Sequence, residues 1–265
     1  MATYLDRILT VHRTRAEEDS RPVEELAEAA RRTPEPRPFR QALGRDGMAV
    51  IAELKRRSPS RGDLAIDLDP AAVAVAYAAG GATCLSVLTD ARFFGGSAAD
   101  LAAARRAVEL PVLRKDFTVS AADVCDARMM GADAVLLIVA ALADAELVRL
   151  RALAAELGLA ALVEVHDEVE LDRAVDAGAD LVGVNQRDLF TFEVDRHRAE
   201  RLAPRIPAEV VGVAESGVRD ASDAARLAGA GFDAVLVGEA LVRARDGEAA
   251  VRSLVGEKVP GSSCS

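Results

Sequence analysis

Four stretches of the chain repeat one pattern: a glycine, a small or acidic residue, then an apolar run. They span 80–88, 131–138, 178–184 and 231–237, opening on Gly80, Gly131, Gly178 and Gly231. Successive copies lie roughly 50 residues apart, the length of two βα units of an α/β barrel. An Ala-rich helical stretch ends at each glycine, which takes readily the left-handed conformation that closes a helix. Four further runs, 49–54, 111–114, 160–165 and 210–214, alternate with the copies and bring the strand candidates to eight. Amphipathic stretches separate them; over 144–157, Leu147, Leu150, Leu153, Ala154 and Leu157 share one face. Strand then helix, repeated in this way, predicts parallel pairing with the helices outside. An open doubly wound sheet is the competing α/β fold. Even spacing, and no GxGxxG after the first strand, favour a closed (β/α)8 barrel of the TIM type.

About 48 residues precede the first strand, more than a barrel needs. The pattern predicts a helix over 3–19 with Thr3 as its N-cap, and a second over 22–32 with Pro22 in its first turn. Pro34, Pro36 and Pro38 make the next stretch a short stiff connector. These extra N-terminal helices are too small to bury a core of their own. Residues 1–47 are therefore expected to pack on a barrel of residues 48–256, followed by a disordered tail, 257–265.

The length of 265 residues suits one such barrel. Hydrophobic residues make up 51% and aromatics only 3%, so the core is expected to be aliphatic. A net charge of −10 argues against nucleic acid or an anionic membrane as partner, though not against a small anionic substrate bound by a local cluster of cations and amides. The amino terminus is charged throughout and lacks the apolar segment of a signal peptide. The longest apolar run, 134–143, is about half what a bilayer needs. Cys84 and Cys125 read as small hydrophobes in a reducing compartment. A cytoplasmic protein is expected.

Candidate chemistry sits where the strands end, because barrel active sites lie at the carboxyl ends. Alternation puts Glu53 and Lys55 on the mouth side of strand 1, with Ala52 and Leu54 toward the helices. On this strand alone, a structural ion pair and a working pair read equally well. The same feature then recurs: Lys115 ends strand 3, Glu164 strand 5, Asn185 strand 6 and Glu215 strand 7. Convergent polar ends define a site. After the last two strands, Ser216-Gly217 and Gly238-Glu239 each read as opening a helix whose backbone amides would cradle phosphate. Ser58 adds a hydroxyl. Two lysines among carboxylates suit proton transfer without a metal, and the histidines show no shared ligand spacing. His166 reads as a solvated rim residue. Phe93 and Phe94 either wall an aromatic substrate or pack a loop.

The strings IAELKRRSPSRG, SVLTDARFFGGS, VLRKDF, ALVEVHDE, GVNQRDL, VAESGV and VLVGEAL resemble the indole-3-glycerol-phosphate synthase family in order and spacing, from Leu5 to about Leu254. The resemblance implies decarboxylating ring closure of 1-(2-carboxyphenylamino)-1-deoxyribulose 5-phosphate, with no metal and no cofactor. It implies Lys115 as general acid on the ketose oxygen and Glu164 as general base in the later dehydration. Lys55 would contact substrate and act as acid in dehydration, Glu53 and Asn185 would orient these groups, and Glu215 would be the strand 7 carboxylate of the mouth. Phe94, Phe117 and Leu189 would wall the anthranilate ring, with Arg187 on the adjoining loop. Ser58, Ser216, Gly217, Gly238 and Glu239 would hold phosphate or line the rim. Glu239 stands where some relatives carry a phosphate-binding Ser, so only its backbone N–H is expected to help, and Arg57 and Arg61 add positive charge to the first loop. The partner is thus a phosphorylated small molecule, with no nucleic acid or membrane, and the chain is expected as a monomer or weak homo-oligomer.

Overall fold

The apolar runs become eight parallel strands in the computed structural model, which describes residues 3–44, 47–59, 61–188 and 191–255. They are β1 (Ala49–Leu54), β2 (Cys84–Leu88), β3 (Val112–Lys115), β4 (Ala134–Ile138), β5 (Ala160–Val165), β6 (Leu181–Asn185), β7 (Val211–Glu215) and β8 (Ala234–Val237). Neighbours in the chain pair in sequence, and the ring closes where Ala49 to Ala52 of β1 meet Ala234 to Val237 of β8. Helices connect the strands, giving the (β/α)8 barrel that the alternating pattern predicts. Gly131 and Gly231, with φ of 89° and 103°, end the helices before β4 and β8 in the left-handed conformation. The helix Asp144–Glu156 buries Leu147, Leu150 and Ala154 against the sheet.

Register sets the site. It places Glu53 beside Ser86, Ile138 beside Glu164, and Asn185 beside Glu215, so the two side chains of each pair share one face of the sheet. Below them the strands contribute Leu, Val, Ile and Ala side chains that are almost all fully buried. A ring of closely packed aliphatic side chains is a stiff mount for charged groups.

The extension begins with α1 (Tyr4–Glu18), capped by Thr3: its hydroxyl accepts from Asp6 N at 3.1 Å while Asp6 accepts from Thr3 N at 2.8 Å. In α2 (Val23–Arg31), Pro22 is the N-cap rather than a first-turn residue. Its extended conformation (ψ 126°) is the reason, since it places the residue outside the helix. The connector then runs under the barrel. Arg37 donates its backbone N–H to Asp133 at 2.6 Å and its guanidinium to the carbonyls of Val108 and Leu110, both at 2.8 Å. A third helix, α3 (Phe39–Leu43), was not anticipated; it buries Phe39 and Leu43 at the bottom of the barrel. Among the described residues no helix is long and apolar enough to cross a membrane. The expected tail, 257–265, lies outside the described residues.

Candidate active site

A cavity of about 410 Å³ opens at the carboxyl ends of the strands. All the described residues expected at the site line it; Leu189 lies outside the described residues. At its floor are the strand-end charges. Lys115 Nζ donates to Glu164 Oε2 at 3.1 Å and lies 3.6 Å from Glu215 Oε2. Asn185 Nδ2 donates to Glu164 Oε1, also at 3.1 Å. Across the floor, Lys55 Nζ forms an ion pair with Glu53 Oε1. Glycine makes room for both acids: a Cβ at Gly183 would overlap Glu215 Oε1, and one at Gly238 would overlap Glu53 Oε1.

Opposing forces sort these groups by charge. Burial disfavours the Lys115 ammonium, but Glu164, Glu215 and Glu53 outweigh it and hold its pKa above the ordinary lysine value. Burial likewise opposes the Glu164 carboxylate, yet Lys115, His166 and Asn185 keep its pKa below the usual value. Glu215 loses the contest. Burial first, and then the neighbouring Glu164 charge, push its carboxyl up to about 8, so it holds a proton at neutral pH. One ammonium, one carboxylate and one neutral carboxylic acid therefore share a water-poor corner, a set able to give and take protons.

One wall is aromatic. Phe94 and Phe117 line the cavity with ring centroids 6.2 Å apart. What sets this wall lies behind it and escaped the sequence reading. His12 of α1 is buried, with Nε2 3.1 Å from Asp90 Oδ2 and its ring 5.4 Å from that of Phe117. Asp90 caps the short helix Ala91–Phe94, and His12 and the Phe93 and Phe94 amides hold its pKa down against burial. Asp116 accepts from Phe117 N at 2.9 Å and Arg114 Nη2 at 3.0 Å. His12, Asp90 and Asp116 are close enough to hold a metal ion in principle, but their carboxylate oxygens already accept from protein donors, including an arginine. The clue available was a histidine on the apolar stripe of α1, in line with Leu5 and Ile8.

Another part of the lining carries groups suited to an anion. Ser58 Oγ is buried with no hydrogen-bond partner among the described residues. Ser216 and Gly217 are both left-handed, at φ 65° and 76°, and Gln186 Nε2 fixes that turn by donating to Ser216 O at 2.7 Å. Contrary to expectation they do not open a helix: the next helix, Ala221–Ala230, starts four residues later under an Asp220 cap. A left-handed serine cannot lie in the first turn of a right-handed helix. Gly238 does open one, Glu239–Arg243. The Glu239 carboxylate sits 3.3 Å from Arg61, 3.7 Å from Arg187 and 3.5 Å from Arg243, which explains how an acid is tolerated at this rim. Arg196, Arg219 and Arg243 also line the cavity and were not singled out from sequence.

His166 is another correction. Its side chain is only 11% exposed, with Nδ1 3.0 Å from Glu170 and Nε2 3.6 Å from Glu164 Oε1. The short helix Glu168–Asp176 folds back over the end of β5 and shields it, which residue spacing alone does not reveal.

A closed parallel barrel with acid and base groups facing one another at its mouth, beside an anion-receptive wall, is the plan of a phosphate-handling barrel enzyme. Two solved structures share the fold at low identity. Thiamine phosphate pyrophosphorylase from Pyrococcus furiosus matches at TM-score 0.58 and 18% identity, over 81% of this chain and 95% of that one. N-acetylmannosamine-6-phosphate 2-epimerase from Clostridium perfringens matches at TM-score 0.60 and 13% identity, over 78% and 92%. The chain belongs to the indole-3-glycerol phosphate synthase family, whose family model matches residues 5–254. The family member of that name from Mycolicibacterium vanbaalenii is 52% identical over 256 residues, 96% of this chain and 94% of its own.

Proposed function

We infer that the chain is an indole-3-glycerol phosphate synthase: it closes the indole ring of 1-(2-carboxyphenylamino)-1-deoxyribulose 5-phosphate, releasing CO2 and water, in tryptophan biosynthesis. Family membership carries the reaction. The observation that carries the assignment of roles is the Lys115–Glu164 contact of 3.1 Å inside the cavity. Phosphate is held at the Ser58, Ser216, Gly217, Gly238 and Glu239 wall, where Glu239 serves through its backbone N–H. The anthranilate ring lies against Phe94 and Phe117, near Arg187.

In this reading the anthranilate ring carbon that bears the carboxylate attacks the ketose carbonyl carbon. Lys115 gives a proton to the carbonyl oxygen as the C–C bond forms, because a bare alkoxide would be a poor product in so buried a site. Breaking the bond to the carboxyl group releases CO2 and restores the ring electrons. The hydroxyl then takes a proton from Lys55 and leaves as water, while Glu164 removes a proton from the adjacent carbon next to the nitrogen, which forms the C=C bond of the new ring. Glu164 also balances positive charge on the anilino nitrogen. Glu53 holds Lys55, Asn185 holds Glu164, and Glu215 supplies a neutral carboxyl group toward substrate hydroxyls.

Residues 1–47 form a helical extension of the catalytic barrel, 48–256, a reading supported by the Arg37 contacts under it. Val23, Val75, Val148 and Val169 lie on four separate helices and Ile66 in a turn; these are the large exposed hydrophobics among the described residues. We propose that the enzyme works in the cytoplasm, and this scatter supports a monomer or weak homo-oligomer, which sedimentation velocity checks. For the reaction itself, the purified protein is incubated with the carboxyphenylamino-deoxyribulose phosphate in the presence of chelator, and indole fluorescence is followed. Absence of product from folded protein rejects the assignment.

A further inference from the structure

His166 has no part in the chemistry just described, yet it is largely enclosed beside the group that acts as base. Its backbone N–H and its Nδ1 both meet Glu170 Oε2, at 2.8 and 3.0 Å. An ionised carboxylate only accepts, so Nδ1 must carry a proton. Nε2 then faces Glu164 Oε1 at 3.6 Å, and it has no hydrogen-bond partner among the described residues. A bare Nε2 would direct a lone pair at a carboxylate oxygen in a buried site. A protonated Nε2 would turn the same contact into an ion pair. We propose that His166 is an imidazolium in the resting enzyme, clamped by Glu170, and that its charge keeps Glu164 in the proton-accepting form.

The groups facing the ring are accounted for on each side. Glu164 of β5 and Glu170 of the helix Glu168–Asp176 favour its charge; burial and Arg198, at the start of the helix Arg198–Leu202, oppose it. The balance leaves the imidazole above its ordinary pKa. Arg198 is partly engaged elsewhere, since it donates to the Asn185 carbonyl at 3.0 Å. Glu164 is thus held on three sides: Lys115 on one oxygen, and Asn185 and His166 on the other. Lys115 is itself spent as an acid during ring closure, and a second, permanent cation would keep Glu164 ionised for the dehydration that follows. His166 is on this account a positioning residue that acts through Glu164.

The inference rests on Glu164 being the base, so its test separates the two ideas. His166→Gln keeps a polar amide but no charge. The acidic limb of its kcat profile is expected to move up by about one unit, so that kcat falls by up to about tenfold on that limb and recovers toward pH 8. KM should stay within about twofold. A profile that superimposes on the wild type, or a loss equal at every pH, overturns the proposal. A second measurement covers the case in which this variant folds poorly. The chain has three histidines, so imidazole NMR of the whole protein resolves each titration, with His12 and His197 assigned by their own substitutions. In Glu164→Gln the His166 titration should drop by a unit or more; an unmoved titration overturns the pairing whatever the activity does. A moved titration with undiminished turnover in that same variant keeps the ion pair and removes Glu164 as the base.

Discussion

Replacing Lys115 tests the floor of the site most directly. Its ammonium lies 3.1 Å from one carboxylate and 3.6 Å from another. With an effective dielectric constant of about 20, the contact with the ionised Glu164 is worth roughly 5 kcal/mol before desolvation is subtracted, and the contact with the protonated Glu215 much less. Loss of one partner from a buried pair costs about 3–5 kcal/mol. The cost here should fall at or below the low end, because Glu215 already carries a proton at neutral pH and Glu164 retains Asn185 and His166. Lys115→Ala is therefore expected to fold, with Tm lowered by about 5–10 °C. Catalysis should suffer more: kcat falls by about 10² to 10⁴, equivalent to roughly 3–5 kcal/mol of transition-state stabilisation, while KM changes little. Lys115→Arg is the control. It preserves the positive charge and hence the stability, but a guanidinium does not release a proton, so it should be nearly as inactive. The assay is indole fluorescence under saturating substrate, paired with circular dichroism melting. Turnover within tenfold of wild type in either folded variant refutes Lys115 as the acid.

Other outcomes follow from the same geometry. Glu164→Gln should keep substrate affinity while kcat drops by about 10² or more; a variant that lost affinity alone, read from steady-state kinetics, would leave the carboxylate only a positioning part. Glu215 favours the folded state most when protonated: its carboxyl rises from 4.5 to about 8 on folding, so its contribution is full below pH 4.5 and is lost as the pH rises through 8. Wild-type Tm should accordingly decline between pH 4.5 and about 8, and Glu215→Gln should flatten that decline; equal slopes for the two proteins count against the neutral carboxyl group. Gly183→Ala forces its new methyl into the Glu215 carboxyl group and should lower kcat by about tenfold or more with modest loss of stability, whereas Gly229→Ala, where the added carbon meets nothing within 4 Å and the residue lies in a helix, should leave kcat unchanged and not lower Tm.

The strands were legible because β-branched and Leu-rich runs lie between glycines and prolines. Their ends moved by no more than a residue or so. One such shift, from 111–114 to Val112–Lys115, brings Lys115 into the last position of β3. Strand alternation was enough to aim Glu53, Lys115, Glu164 and Glu215 at one mouth, since a closed parallel sheet leaves the side chains little other freedom. What could not be read depends on contacts between distant segments. The five residues of α3 are too few to show a helical period. His12 reaches Asp90 across 78 positions, and His166 is hidden by a helix that begins only after it. The left-handed Ser216 broke a helix start that its sequence neighbours suggested, because Gln186 holds that turn from just past the end of β6.

The seam between β1 and β8 carries a cost in time. The strand that bears Glu53 is among the first parts of the barrel to leave the ribosome, and its second neighbour is nearly the last. Until residues 234–237 emerge, β1 presents an open row of unpaired amides and carbonyls, the kind of edge on which nascent chains stick to one another. The helices ahead of β1 are synthesised before that danger arises, and α3 already lies under the ring in the finished protein. A chain truncated before β8 should therefore aggregate rather than persist as a stable seven-stranded sheet.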